Sequence, residues 1–281
     1  MCARSLNWLL LGISCLLLSA QKCGSLQEST AWNEEPEAVA VSDSISQEVA
    51  EEDTIAPLPF SYVFLSEGDE LIEHPGFMLV YSEAHEQAFW VGYELTKERT
   101  EGPFERTDRF LEDPKVSTGS AKNADYSGSG YDRGHLAPAA DLAWSEESMK
   151  ASFYFSNMSP QLPGFNRGVW KRLEELVRDW AKSHDHIYIV TGPVLNTTDL
   201  PTIGENAVAV PRYYYKVIID YTEPEWAGIG FVLENASSSL PLHNFAVSID
   251  SVQRLTGLNF FQFLPDTTET RLEAENCFSC W

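Results

Sequence analysis

Cysteine is absent from the body of the chain: Cys2, Cys15 and Cys23 stand near one end, Cys277 and Cys280 near the other. The Cys277-Phe-Ser-Cys280 pair has no second pair to complete a zinc site and no helix after it to build a redox centre. It is therefore expected to close on itself as a terminal staple, or to have no role. Long apolar runs are equally scarce. Residues 8–18 form one, preceded by Arg4 and followed by Ser19 and Ala20, too short for a membrane span and shaped like a cleaved export signal over residues 1–22. The expectation is an exported protein with no transmembrane span: periplasmic, secreted, or a surface lipoprotein anchored at Cys23. Cys23 itself lacks the Leu-small-small-Cys context of lipidation. No repeat of fixed period is visible.

Positive charge is the third scarcity. Nineteen Lys and Arg against 42 Asp and Glu give −23, which by itself argues against a polyanionic partner. The distribution of charge removes that objection. Residues 97–182 hold 13 of the 19 basic side chains and 14 acids, a net of −1, so the remainder carries −22. Much of that acid lies in residues 23–57, where Glu, Ser, Ala and Asp leave too little apolar surface to offset the entropy of ordering, and a disordered acidic linker is expected. Residues 58–281 remain for a folded domain, and a chain that is 43% hydrophobic and 12% aromatic can supply its core.

Phe77-Met-Leu-Val-Tyr81, after a His74-Pro75-Gly76 turn, and Ala88-Phe-Trp-Val-Gly-Tyr-Glu-Leu95 predict an antiparallel strand pair, with His85 solvated between them. Residues 96–129 are polar and aperiodic, a loop long enough to be functional, and carry Arg106 and Arg109, either of which could clamp a phosphate. A strand is expected over 131–136, and Ser145 followed by two glutamates opens a helix. Residues 166–182 are the longest helical pattern, with Val169, Leu173, Leu176, Val177 and Trp180 as its apolar stripe. Strands follow at 186–191, within 208–220 and at 226–233, then a short helix at 248–256 stopped by Gly257. His184 and His186 read as structural, with no third metal ligand near.

The chemistry concentrates between residues 131 and 178. At about 100° per residue, Asn166, Trp170, Glu174 and Arg178 drift by only about 40° per step and share one edge of their helix, facing the strand that displays His135. Hydrolysis of a phosphodiester needs a base for the attacking water, a cation against the developing charge, and donors for the other oxygens. Histidine titrates near neutrality, an amide oxygen with an outer carboxylate suits a well-hydrated magnesium ion, and arginine matches phosphate by its planar fork.

Three blocks stand in order: Tyr131-Asp-Arg-Gly-His135-Leu-Ala-Pro-Ala, Phe155-Ser-Asn157-Met-Ser-Pro-Gln161, and Asn166-Arg-Gly-Val-Trp170-Lys-Arg-Leu-Glu174. Together they resemble the DNA/RNA non-specific endonuclease family, the endonuclease G-like group of ββα-metal (His-Me finger) nucleases. That resemblance implies an α+β fold, with a central mainly antiparallel sheet, flanking helices and a ββα-metal unit. It implies cleavage of DNA and RNA to 5′-phosphate ends with Mg²⁺, or with Mn²⁺. His135 would be the general base and Asn166 the direct metal ligand, with Glu174 holding a metal-bound water. Arg133 and Arg178 would contact phosphate, Asn157 would support the site and Asp132 would brace it. A further family arginine is assigned to Arg106, with Arg109 as second choice. Arg167, where relatives often carry Gln, is a departure that adds positive charge. A homodimer stays open, as does the alternative of a catalytically silent nuclease-like module that binds nucleic acid or protein at the cell surface.

Overall fold

A computed structural model describes residues 69–220, 226–262 and 264–281. The expected export signal, the Cys23 anchor, the acidic linker and the start of the folded domain lie outside the described residues. The described residues open with strands β1 (Glu70–His74), β2 (Phe77–Ser82) and β3 (Gln87–Thr96). A long loop leads to α1 (Asn123–Tyr126), β4 (Asp132–His135), α2 (Glu146–Ser152), β5 (Met158–Gln161) and α3 (Lys171–Ser183). Then come β6 (His186–Pro193), β7 (Thr202–Ile203), β8 (Val208–Ala209), β9 (Tyr213–Asp220), β10 (Ala227–Glu234) and β11 (Ala246–Val247). Helices α4 (Ile249–Thr256) and α5 (Asp266–Ala274) follow.

Seven strands form one sheet in the order β1-β2-β3-β6-β9-β10-β11, antiparallel throughout, so the fold is α+β as expected. Side chains alternate across it. In β9, Tyr214 and Ile218 enter one core while Tyr215, Val217 and Ile219 enter another. The first core also takes Leu173, Val177 and Trp180 of α3 and Leu136 beyond β4; the second takes Ile249 and Val252 of α4 and Leu272 of α5. Burying each such aliphatic side chain contributes about 1.5–3 kcal/mol, enough to fix α3 against the sheet. The strand pair β4–β5 stands apart from the large sheet, on the α3 side.

Several local expectations change. The long helical pattern is not one helix: residues Phe165–Trp170 make a π-type turn, Gly168 sits at φ −110°, ψ −107°, and the regular helix starts at Lys171. Trp170 is consequently fully buried instead of lying on a polar edge. His85 is half-buried, not solvated, with Nδ1 2.8 Å from Ser82 Oγ, and burial lowers its pKa. Strand β1 and helix α5 carry too few apolar residues to have been legible; only Ile72 and His74 are buried in the first, Leu272 and Glu273 in the second. His184 Nδ1 pairs with Asp220 Oδ2 at 2.8 Å. Cys277 and Cys280 do close a disulfide, and Phe278 and Trp281 pack on Trp180 at ring distances of 5.7 and 5.0 Å.

Candidate active site

Pairing of β4 with β5 brings Gly134 opposite Ser159, where a side chain at position 134 would run into Gln161. Glycine is thus required here by close approach. The next residue, His135, is 8% exposed, edge-on to Phe153 at 4.9 Å, and its Nε2 is buried with no protein partner. Burial, reinforced by the charge of Arg106, lowers its pKa to about 3, so the imidazole is neutral near pH 7. A buried nitrogen left without a protein partner costs about 1–3 kcal/mol unless a water or a ligand meets it. Behind it, fully buried Asn157 accepts from Ala137 N and donates to the carbonyls of Ala137 and Ser152, each at 2.9 Å. Asn157 therefore braces the chain after His135 and does not itself line the cavity.

That cavity, of about 530 Å³, is lined by His135, Asn166, Glu174, Arg106, Arg133 and Arg178 among others. Asn166 Nδ2 donates to Asp132 Oδ2 at 2.9 Å. Arg167 grips the same carboxylate through Nε at 2.8 Å and Nη2 at 2.5 Å. Burial opposes the charge on Asp132, but these hydrogen bonds, with Arg167 and Arg133 nearby, hold its carboxyl below the usual range. Arg178 donates to Asp141 Oδ1 at 2.7 Å, and Asp141 also accepts from Tyr93 Oη at 2.9 Å. Beneath them lies Lys216 of β9, fully buried, its Nζ unpartnered and 5.0 Å from the Trp170 ring centroid. Burial pushes Glu174 up and Lys216 down, each opposed by the other's charge.

The long loop reaches the site because it is pinned at both ends. Phe104 N donates to Ala143 O, Leu111 exchanges backbone bonds with Phe153 and Phe155, and Asp113 accepts from buried His74 Nε2 at 2.7 Å and from Ser156 Oγ. Between the pins, Arg106 and Phe110 line the cavity, whereas Arg109 lines a separate pocket with Phe104 and Lys150. Arg106 lies 5.0 Å over Phe153 and Arg133 5.3 Å over Phe110. Two aromatic rings thus hold two cations beside the histidine. Arg106→Ala is expected to lower kcat/KM on polynucleotide about 10- to 100-fold, of the order of one charged donor to a phosphate. Arg109→Ala should stay within about threefold of wild type in the same assay, and equal losses would put both on substrate.

The profile of the DNA/RNA non-specific endonuclease family matches residues 59–267. Human mitochondrial endonuclease G is 37% identical over 207 residues, covering 68% of this chain and 69% of that protein. Nuclease C1 of Cunninghamella echinulata var. echinulata is 36% identical over 219 residues, 71% of this chain and 85% of that one. Among solved structures, one titled as the EndoG/EndoGI complex superposes with a TM-score of 0.66 at 32% identity, over 70% of this chain and 87% of that one. The chain belongs to the DNA/RNA non-specific endonuclease family.

As a member of that family the protein is a nuclease, a hydrolase of phosphodiester bonds. Four residues of the endonuclease's site escaped the reading of its sequence: Asp141, Phe110, Phe153 and Lys216. Asp141, Phe110 and Phe153 lie outside any recognisable pattern. Lys216 did carry a signal, a cation in the middle of the otherwise apolar and aromatic run Tyr213-Tyr-Tyr-Lys-Val-Ile-Ile. Among the described residues no helix is long and apolar enough to cross a membrane.

Proposed function

We propose that the endonuclease hydrolyses DNA and RNA with little base preference, requires Mg²⁺ or Mn²⁺, and leaves 5′-phosphate and 3′-hydroxyl ends. The observation that supports this reading is a neutral His135, its Nε2 buried without a protein partner, lining the same cavity as Asn166 and three arginines. His135 takes the proton of the attacking water at Nε2 as the bond from phosphorus to the 3′ oxygen breaks. Arg133, Arg106 and Arg178 hold the non-bridging oxygens, Arg178 being steered by Asp141. Contacts of this kind go to backbone phosphate, which explains indifference to base sequence.

The residues fit a hydrated divalent cation. Asn166 Oδ1 would supply one hard oxygen, Glu174, which lines the same cavity, would hold a water of the ion's shell, and most ligands would be water. No cluster of three His, Cys, Asp or Glu able to hold a metal occurs among the described residues, so a site dependent on protein carboxylates and imidazoles is not the one offered. Such an ion, when bound, neutralises charge on the phosphate and the leaving oxygen. Export of the chain completes the proposal and rests on the apolar run of residues 8–18 with its flanking Arg4, Ser19 and Ala20.

The test is incubation of the purified chain with circular DNA and with RNA, in Mg²⁺ and in EDTA, with the ends of the products characterised. Nicking of both polymers in Mg²⁺ alone, with 5′-phosphate ends, is the expected result. Retention of the polymers in a complex without cleavage would establish the silent binding module instead. Hydrolysis of a nitrophenyl phosphodiester without polymer cleavage would point to small substrates.

A further inference from the structure

Consecutive residues of a regular α-helix point about 100° apart, so two neighbours do not readily converge on one small group. Asn166 and Arg167 nevertheless meet on the single carboxylate of Asp132, Asn166 through Nδ2 and Arg167 through Nε and Nη2. Both residues lie in the π-type turn, in which Gly168 leaves the helical region.

We propose that Arg167 is a positioning residue for the cation site: it clamps both oxygens of Asp132, which in turn holds the Asn166 amide with Oδ1 toward the cavity. The inference rests on the reading of Asn166 as the cation's ligand. An amide's two ends are nearly equal in shape but opposite in function, because the oxygen can ligate a cation and the NH₂ group cannot. Asp132 selects between them, as it accepts only from the nitrogen end. Held by one amide alone, its carboxylate is free to turn; the planar fork of an arginine across both oxygens fixes its plane. The Arg167 side chain is 72% exposed against 15% for Asp132, so the pair adds little to stability and its effect falls on orientation.

Mn²⁺ binding to the full chain, followed by the loss of the free-ion paramagnetic resonance signal, gives a readout independent of turnover. Arg167→Ala is expected to weaken Mn²⁺ binding about three- to tenfold, below the 10- to 100-fold typical of removing a group bonded directly to a ligand. KM for polynucleotide and the melting temperature should stay at wild-type values. Arg167→Lys should fail to restore binding, because an ammonium does not span two oxygens. Wild-type Mn²⁺ affinity in Arg167→Ala overturns the proposal, and a raised KM with a salt dependence shallower by about one charge would make Arg167 a phosphate contact instead. Equal Mn²⁺ binding by wild type and Asn166→Ala would instead remove the cation reading itself.

Discussion

His135→Ala should lower kcat on circular DNA by about 10³-fold or more, the upper part of the range for loss of a positioned base. Removing the ring also empties space beside Phe153, so His135→Asn, which refills part of it, is the matched variant for separating chemistry from packing. Both are expected to lose activity, and a cooperative melt close to wild type in the asparagine variant would assign the loss to the missing base. Undiminished cleavage by either would remove His135 from that role. The pH dependence follows from the same burial. A histidine at about 3 in the fold and about 6.5 when unfolded is neutral in the native state over that whole interval. The unfolded chain then binds the proton first as pH falls. This contribution to stability is complete above about 6.5 and drains away toward pH 3, at up to about 1.4 kcal/mol per pH unit. Urea titrations across that window should show wild type losing stability faster than His135→Asn, and the acid limb of kcat/KM should fall well below 6.5. Parallel stability curves for the two would contradict a buried neutral imidazole.

Asn166→Ala carries the second large effect. Its side chain lines the cavity, and its nitrogen is tied to Asp132. Truncation should raise the Mg²⁺ concentration for half-maximal cleavage by at least about 10- to 100-fold, the range found when merely an outer partner of a ligand is lost. At saturating metal, kcat should remain depressed. KM for the polymer should move far less, because Arg106, Arg133 and Arg178 still line the cavity. An unchanged metal requirement would show that the amide is not a ligand. The pair of variants is diagnostic: the histidine change should leave metal dependence near wild type, and the asparagine change should not.

Much of this was legible in the chain because its signals are local. The three motif blocks fall on β4, on the start of β5 and on the turn into α3, and Ser145 and Ser248 cap their helices through the amides of Ser148 and Ser251 as hydroxyl residues do. Strand-length runs rich in β-branched and aromatic residues found β2, β3, β6, β9 and β10. What stayed hidden depends on partners distant in sequence. Asp141 has no motif of its own and gains meaning from Tyr93 and Arg178, which lie 48 and 37 residues away. That Arg106 lines the cavity of His135 while Arg109 lines another pocket depends on where Ala143, Phe153 and Asp113 pin the loop. The break at Gly168 was hidden for another reason. A 3.6-residue repeat assumes uniform backbone angles, and the apolar stripe resumes after the turn as though nothing had intervened.

The missing side chain at position 134 divides the site into parts of unequal tolerance. Gly134 lets β4 lie directly on Gln161, so variation there displaces the strand that carries the base before it can alter any preference for substrate. The span 105–109 is exposed along its length and tethered on either side, and its replacement disturbs no core. A directed-evolution library aimed at strand preference or salt tolerance would hold 132–135 and Arg106 constant and randomise the rest of that rim, where new chemistry can be sampled without unfolding the machine that uses it.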